Sequence, residues 1–144
     1  MGATILAIDD TEKILDVIRY FLENEGYTVR TAKDAQEGLE VARQGGIDLI
    51  LLDIMMPGMD GYAVCDQLKK ADTTRDIPVI MLTAKAIILH TPKDFFYGLY
   101  GFLAKPFTRD QLVRVVADTL EMTAEGGKPR FHSPLDDTPD EVTH

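Results

Sequence analysis

The segment Ile47-Asp48-Leu49-Ile50-Leu51-Leu52-Asp53 constrains this chain more than any other. An apolar run of this length reads as a strand, Ile47 to Leu52, buried on both faces in the middle of a parallel sheet. The strand stops where Asp53 begins and delivers that carboxylate to the carboxyl edge of the sheet. In open α/β sheets, ligands bind at that edge. The loop Ile54-Met55-Met56-Pro57-Gly58-Met59-Asp60-Gly61 follows at once, so Asp53 could equally be a plain turn opener. The rest of the chain decides between these readings.

Strand and helix patterns alternate on either side. Residues 3 to 8 form a first buried strand that ends on Asp9-Asp10. Ile14, Leu15, Ile18, Phe21 and Leu22 recur at helical spacing between Glu12 and Glu25, with Gly26 as the C-terminal cap. Tyr27 to Thr31 reads as a short second strand, and Asp34 with Glu37 opens a second helix carrying Leu39 and Ala42. Asp60 caps a third helix to about Lys70, with Val64 and Leu68 facing inward and Cys65 as a small buried residue. Ile77 to Leu82 is a fourth strand ending on Thr83, and Gly101 to Ala104 a fifth ending on Lys105-Pro106. Thr108 with Gln111 caps a closing helix whose apolar face is Leu112, Val115, Val116 and Leu120. Such alternation predicts parallel pairing with right-handed crossovers. The expected fold is a flavodoxin-like, doubly wound α/β sheet of five strands in the order 2-1-3-4-5, with helices on both faces. Its topological switch lies between the first and third strands, where Asp9-Asp10 and Asp53 would meet.

The expected domain is residues 1–124. From 125 to 144 the chain carries Pro129, Pro134 and Pro139 with few large apolar residues, which reads as a tail or linker. Net charge is −9, and this argues against partners such as nucleic acid or an anionic membrane surface. A single cysteine excludes an internal disulfide and suits a cytoplasmic setting. The N-terminus reads as neither a signal peptide nor a myristoylation start, and no window is long and apolar enough to span a bilayer. His90, His132 and His144 have no motif around them and read as surface residues.

Four strands thus end on Asp9-Asp10, Asp53, Thr83 and Lys105 at one edge. Converging carboxylates repel unless a cation sits among them, and a hard divalent ion such as Mg²⁺ takes carboxylate ligands while keeping room for a phosphoryl group. Lys105 would add a mobile positive charge and Thr83 a hydroxyl donor, with Asp53 as an in-line nucleophile toward phosphorus.

On these residues the chain resembles the receiver domain of two-component response regulators. The resemblance runs from residue 3 to about 122. It rests on the acidic pair Asp9-Asp10, the D-I-M-M-P-G-M-D-G run from Asp53, the L-T-A from Leu82 and the K-P-F from Lys105, all in matching order and spacing. Stand-alone chemotaxis-type and sporulation-type receivers are similar. The resemblance implies that Asp53 accepts phosphate from a histidine kinase or phosphotransfer protein. It implies Mg²⁺, with Mn²⁺ as a substitute, held by Asp10, Asp53 and the backbone carbonyl of Met55, with Asp9 acting through water. Lys105 would pair with a phosphoryl oxygen, Lys105-Pro106 would be cis, and Thr83 and Phe102 would form the switch. The protein would not be an enzyme beyond catalysing its own phosphorylation and dephosphorylation.

The chain departs from the family between Thr83 and Lys105. A late, short helix capped by Thr91 and carrying Asp94 is expected there, after an irregular apolar loop at 86 to 90. Phe95, Phe96, Tyr97 and Tyr100 would crowd the face formed by this helix, the last strand and the closing helix, unless the helix packs inward differently and exposes nothing unusual. That face would meet an output protein whose identity the sequence does not give, or form a homodimer. Phe102 has no hydroxyl to bond after rotating. Met55 and Lys85 flank the phosphoryl site, and Met55 offers no hydrogen bond to position water, which favours a long-lived phosphorylated state. Two alternatives remain open: a phosphorylation-independent scaffold acting through residues 86 to 101, and an aspartyl-phosphate hydrolase. The latter needs a second Asp where Met55 stands.

Overall fold

A computed structural model of the chain describes residues 2–84 and 99–124. The elements are β1 (Thr4–Ile8), α1 (Glu12–Glu23), β2 (Thr28–Ala32), α2 (Ala35–Arg43), β3 (Leu49–Asp53), α3 (Gly61–Lys69), β4 (Val79–Ala84), β5 (Leu99–Lys105) and α4 (Arg109–Ala124). The five strands are all parallel in the order β2-β1-β3-β4-β5. This is the expected flavodoxin-like arrangement, with β3 at its centre.

Period-two alternation divides the central strands between two cores. Ile50 and Leu52 of β3 join Leu6, Ile8 and Met81 under α2 and α3, where Leu39, Ala42, Val64, Cys65 and Leu68 cover them. Leu49 and Leu51 face the other way with Ile5, Ala7, Ile80 and Leu82, under Leu15, Ile18 and Leu22 of α1 and Leu112, Val115 and Val116 of α4. Every residue of β3 is buried, which is why its sequence shows no polar alternation. Each such Leu or Ile contributes about 1.5–3 kcal/mol on burial. Register is therefore strongly determined: a slip by one residue would turn Asp53 into a core.

The helix starts follow the capping residues. Asp34 accepts from the Glu37 N–H (2.8 Å) and Asp60 from the Ala63 N–H (2.9 Å). Thr108 and Gln111 bond reciprocally, at 2.9 and 3.1 Å. Glu37 reaches past its cap to the Lys33 N–H (3.0 Å). After α1, Gly26 takes the left-handed conformation (φ 95°).

Several expected boundaries shift. β3 starts at Leu49 because the Asp48 carboxylate turns back to accept from the Thr4 N–H (2.8 Å). α1 ends at Glu23, two residues early. β4 runs through Thr83 to Ala84, so Thr83 lies within the strand. β5 begins at Leu99 rather than Gly101, across a register irregularity opposite Val79 and Ile80. That earlier start takes Tyr100 into the sheet and buries it, contrary to its expected place on a crowded surface. The expected Thr91-capped helix, Lys85, His90, Phe95, Phe96 and Tyr97 lie outside the described residues, as do the tail, His132 and His144. Among the described residues, no helix is long and apolar enough to cross a membrane.

Candidate functional site

Parallel pairing brings the predicted residues to one edge. Ile8 pairs with Leu52, so Asp9 emerges from β1 beside Asp53 of β3. Asp53 pairs with Leu82, and across β4 Thr83 and Ala84 pair with Ala104 and Lys105 of β5. Asp9, Asp10 and Asp53 each place one carboxylate oxygen within 4.8 Å of the others.

The two adjacent acids differ sharply. Asp9 is fully buried: its Oδ1 accepts from the Thr11 N–H (2.8 Å), and its Oδ2 accepts from Lys105 Nζ (2.8 Å). Asp10 stands exposed at the mouth. Asp53 is buried, accepts from the Met55 N–H (3.3 Å), and lies 3.4 Å from Lys105 Nζ. Lys105 thus bridges two carboxylates and leans toward Asp9.

Burial pushes the Asp53 carboxyl above the usual carboxylate range, and the neighbouring Asp9 charge adds to this. Lys105 and the Met55 N–H offset only part of the shift. For Lys105, burial pulls downward, but the hydrogen bond and charge of Asp9, followed by Asp53, outweigh it and hold the ammonium above its ordinary value. The rim therefore carries negative charge that one lysine incompletely compensates. Hard carboxylate oxygens crowded in this way suit a small divalent cation, so the donor set fits Mg²⁺.

The remaining predicted residues are not all brought to these acids: Thr83 lies at the same edge, in β4, whereas Phe102 lies in the core. Thr83 is buried, and its hydroxyl donates to the Ala84 carbonyl (3.1 Å). Phe102 pairs in register with Met81 and sits in the core under α2 and α3, its ring already inside. The Lys105-Pro106 bond is cis. In the loop after Asp53, Met56 is buried and Met59 packs against the core, whereas Met55 is 61% exposed.

Gly61 is a positioning residue that the sequence reading assigned no part. A Cβ there would stand 2.9 Å from the Asp53 carbonyl oxygen and 3.0 Å from Ile54 Cα. Its N–H donates to the Ile54 carbonyl (2.8 Å), folding the loop back beneath Asp53. The available signal was a glycine just after the capping Asp60, where a helix former would otherwise stand.

A family model described as the response regulator receiver domain matches residues 5–117. The chain is 38% identical over 131 residues to the DNA-binding dual master transcriptional regulator RpaA of Synechocystis sp., covering 91% of this chain and 54% of that protein. It is 39% identical over 114 residues to the transcriptional regulatory protein ResD of Bacillus subtilis, covering 78% of this chain and 46% of the relative. The chain thus spans about half the length of the curated relatives it matches. Among solved structures, a response regulator receiver domain protein from Clostridium thermocellum superposes with a TM-score of 0.77 at 30% identity, covering 85% of this chain and 98% of that one. With its strand order, the acids gathered at the carboxyl edge of its sheet and a matching family model over most of its length, this chain belongs to the response regulator receiver domain family of two-component signalling.

Proposed function

We propose that Asp53 accepts a phosphoryl group from the phosphohistidine of a histidine kinase or phosphotransfer protein, and that the resulting charge switches a protein interface. The observation that carries this reading is the buried Asp53 held beside Asp9 and bridged by Lys105 at the sheet's carboxyl edge. An Asp53 oxygen attacks phosphorus in line, the phosphorus–nitrogen bond breaks, and its electron pair returns to the donor imidazole. Asp10, Asp53 and the Met55 carbonyl would hold Mg²⁺, or Mn²⁺ in its place, with Asp9 acting through water, and the ion would supply charge neutralisation for the phosphoryl oxygens.

Lys105 then has a choice of partners. Its ammonium already lies 3.4 Å from Asp53, so pairing with a phosphoryl oxygen there requires only a small move away from Asp9. The Thr83 hydroxyl would leave the Ala84 carbonyl and donate to the phosphoryl group. Phe102, packed in the core, would adjust with Thr83 as the switch, and the changed strand ends would carry the signal outward. The net charge of −9 supports a protein rather than nucleic acid as the direct partner of this segment. The DNA binding named for RpaA belongs to a protein about twice as long as the matched span. We read residues 1–124 as the signalling domain and 125–144, from composition, as a tail or linker; a homodimer is the other way the switched face could act.

The test is incubation with acetyl phosphate in Mg²⁺, read by intact mass together with self-association. Wild type should gain one phosphoryl group, while Asp53→Asn and a chelator-treated sample should gain none. Equal labelling of Asp53→Asn would overturn the assignment.

A further inference from the structure

Within the loop between β3 and α3, Met55 alone of the large apolar side chains stands mostly in solvent, 61% exposed. The other described methionines are shielded: Met56 and Met81 are buried, and Met59 and Met122 are partly buried. The main chain of Met55 is fixed to the acidic rim, because its N–H donates to Asp53 Oδ1 (3.3 Å), so the side chain starts two residues from Asp53 at that rim. An accessible thioether is readily oxidised by peroxides, whereas burial protects the others. A thioether is a poor hydrogen-bond acceptor and a sulfoxide a polar one, so oxidation would change which side-chain groups can hold water beside Asp53.

We propose that Met55 is a peroxide-oxidised modification site that shortens the life of a phosphoryl group on Asp53. The proposal rests on the phosphoacceptor reading above. The sulfur attacks one oxygen of hydrogen peroxide, forming the sulfur–oxygen bond as the oxygen–oxygen bond breaks. Sulfur loses two electrons and the peroxide gains them, and the departing hydroxide takes the proton from the sulfur-bound hydroxyl, leaving a sulfoxide and water. The new sulfoxide oxygen accepts from a water at the rim and orients it toward phosphorus. Hydrolysis then quickens by roughly two- to tenfold, the rate equivalent of one net hydrogen bond.

The test uses the full chain, treated briefly with hydrogen peroxide and mapped by mass spectrometry. It is then phosphorylated with acetyl phosphate in Mg²⁺, and decay is followed after the donor is removed. Met55 should be oxidised ahead of Met56, Met59, Met81 and Met122, and the treated wild type should lose phosphate faster than the untreated. Met55→Leu should decay at one rate whether treated or not; since it keeps the buried Cys65, a thiol effect would show there too. Met55→Gln, which supplies an acceptor without oxidation, should decay faster than Met55→Leu. Oxidation of Met55 no faster than of the buried methionines, or an unchanged decay once it is oxidised, would overturn the proposal alone. Failure of the untreated wild type to take phosphate on Asp53 would overturn the phosphoacceptor reading and this proposal with it.

Discussion

Carboxylates at the helix starts and carboxylates at the sheet rim do opposite things in this molecule. Asp34 and Asp60 stand in solvent, and each accepts a backbone N–H that the helix cannot satisfy itself. Each stabilises its helix by about 1 kcal/mol. Asp9 and Asp53 are buried side by side and share one lysine, so ionising Asp53 works against folding. One residue type serves stability where water and a spare donor are available. Where water is withheld and two acids share one lysine, it stores unfavourable charge that a cation or a phosphoryl-bound state can use.

The largest effect expected from this contrast is at Lys105. Lys105→Met removes the only cation contacting the fully buried Asp9 among the described residues, and should cost about 3 kcal/mol in urea denaturation. A loss no greater than that of a helix cap would break the comparison. Asp53→Asn should act in the other direction, stabilising the metal-free protein at neutral pH. The sign follows from the raised carboxyl: the folded state binds this proton more tightly than the unfolded chain, so ionised Asp53 opposes folding above its folded pKa. As pH falls through that value toward the ordinary carboxylate range of about 4, protonation relieves the wild type. The advantage of Asp53→Asn in denaturant midpoint should therefore shrink on acidification, and an advantage that grew would contradict the account.

Mg²⁺ at ten times its dissociation constant should stabilise wild type by about 1.4 kcal/mol, read as a rise in melting temperature. Asp53→Asn should gain clearly less, and an equal gain would place the cation elsewhere. The smallest effect is at a cap: Asp60→Ala should cost about 1 kcal/mol whether or not Mg²⁺ is present.

The rim was largely legible in the sequence because β3 is buried on both faces and announces where it stops. Once the strands were taken as parallel, residues at their carboxyl ends had to meet, and Asp9, Asp53 and Lys105 do, with Thr83 on the same edge but one residue inside its strand. What the spacing could not show is which of two adjacent acids turns inward. Asp9 is held by the local Thr11 N–H and by Lys105, and the second contact forms only in three dimensions. Tyr100 was misread because its neighbours Phe95, Phe96 and Tyr97 made an aromatic surface plausible, while β5 begins early enough to take it inside. The close approach behind Gly61 is a backbone contact between a loop and its own strand, which side-chain patterning does not record. The receiver fold itself followed from alternation, with errors confined to element ends, where side chains such as Asp48 compete for backbone donors.

The central claim is that Asp53 itself carries the phosphoryl group, and trapping the acyl phosphate tests it most directly. Protein phosphorylated in Mg²⁺ should be reduced with borohydride and its peptides sequenced by mass spectrometry. The account predicts homoserine at position 53 and aspartate retained at 9 and 10. Homoserine at 9 or 10, or an unreduced position 53 in protein that demonstrably holds phosphate, would contradict it.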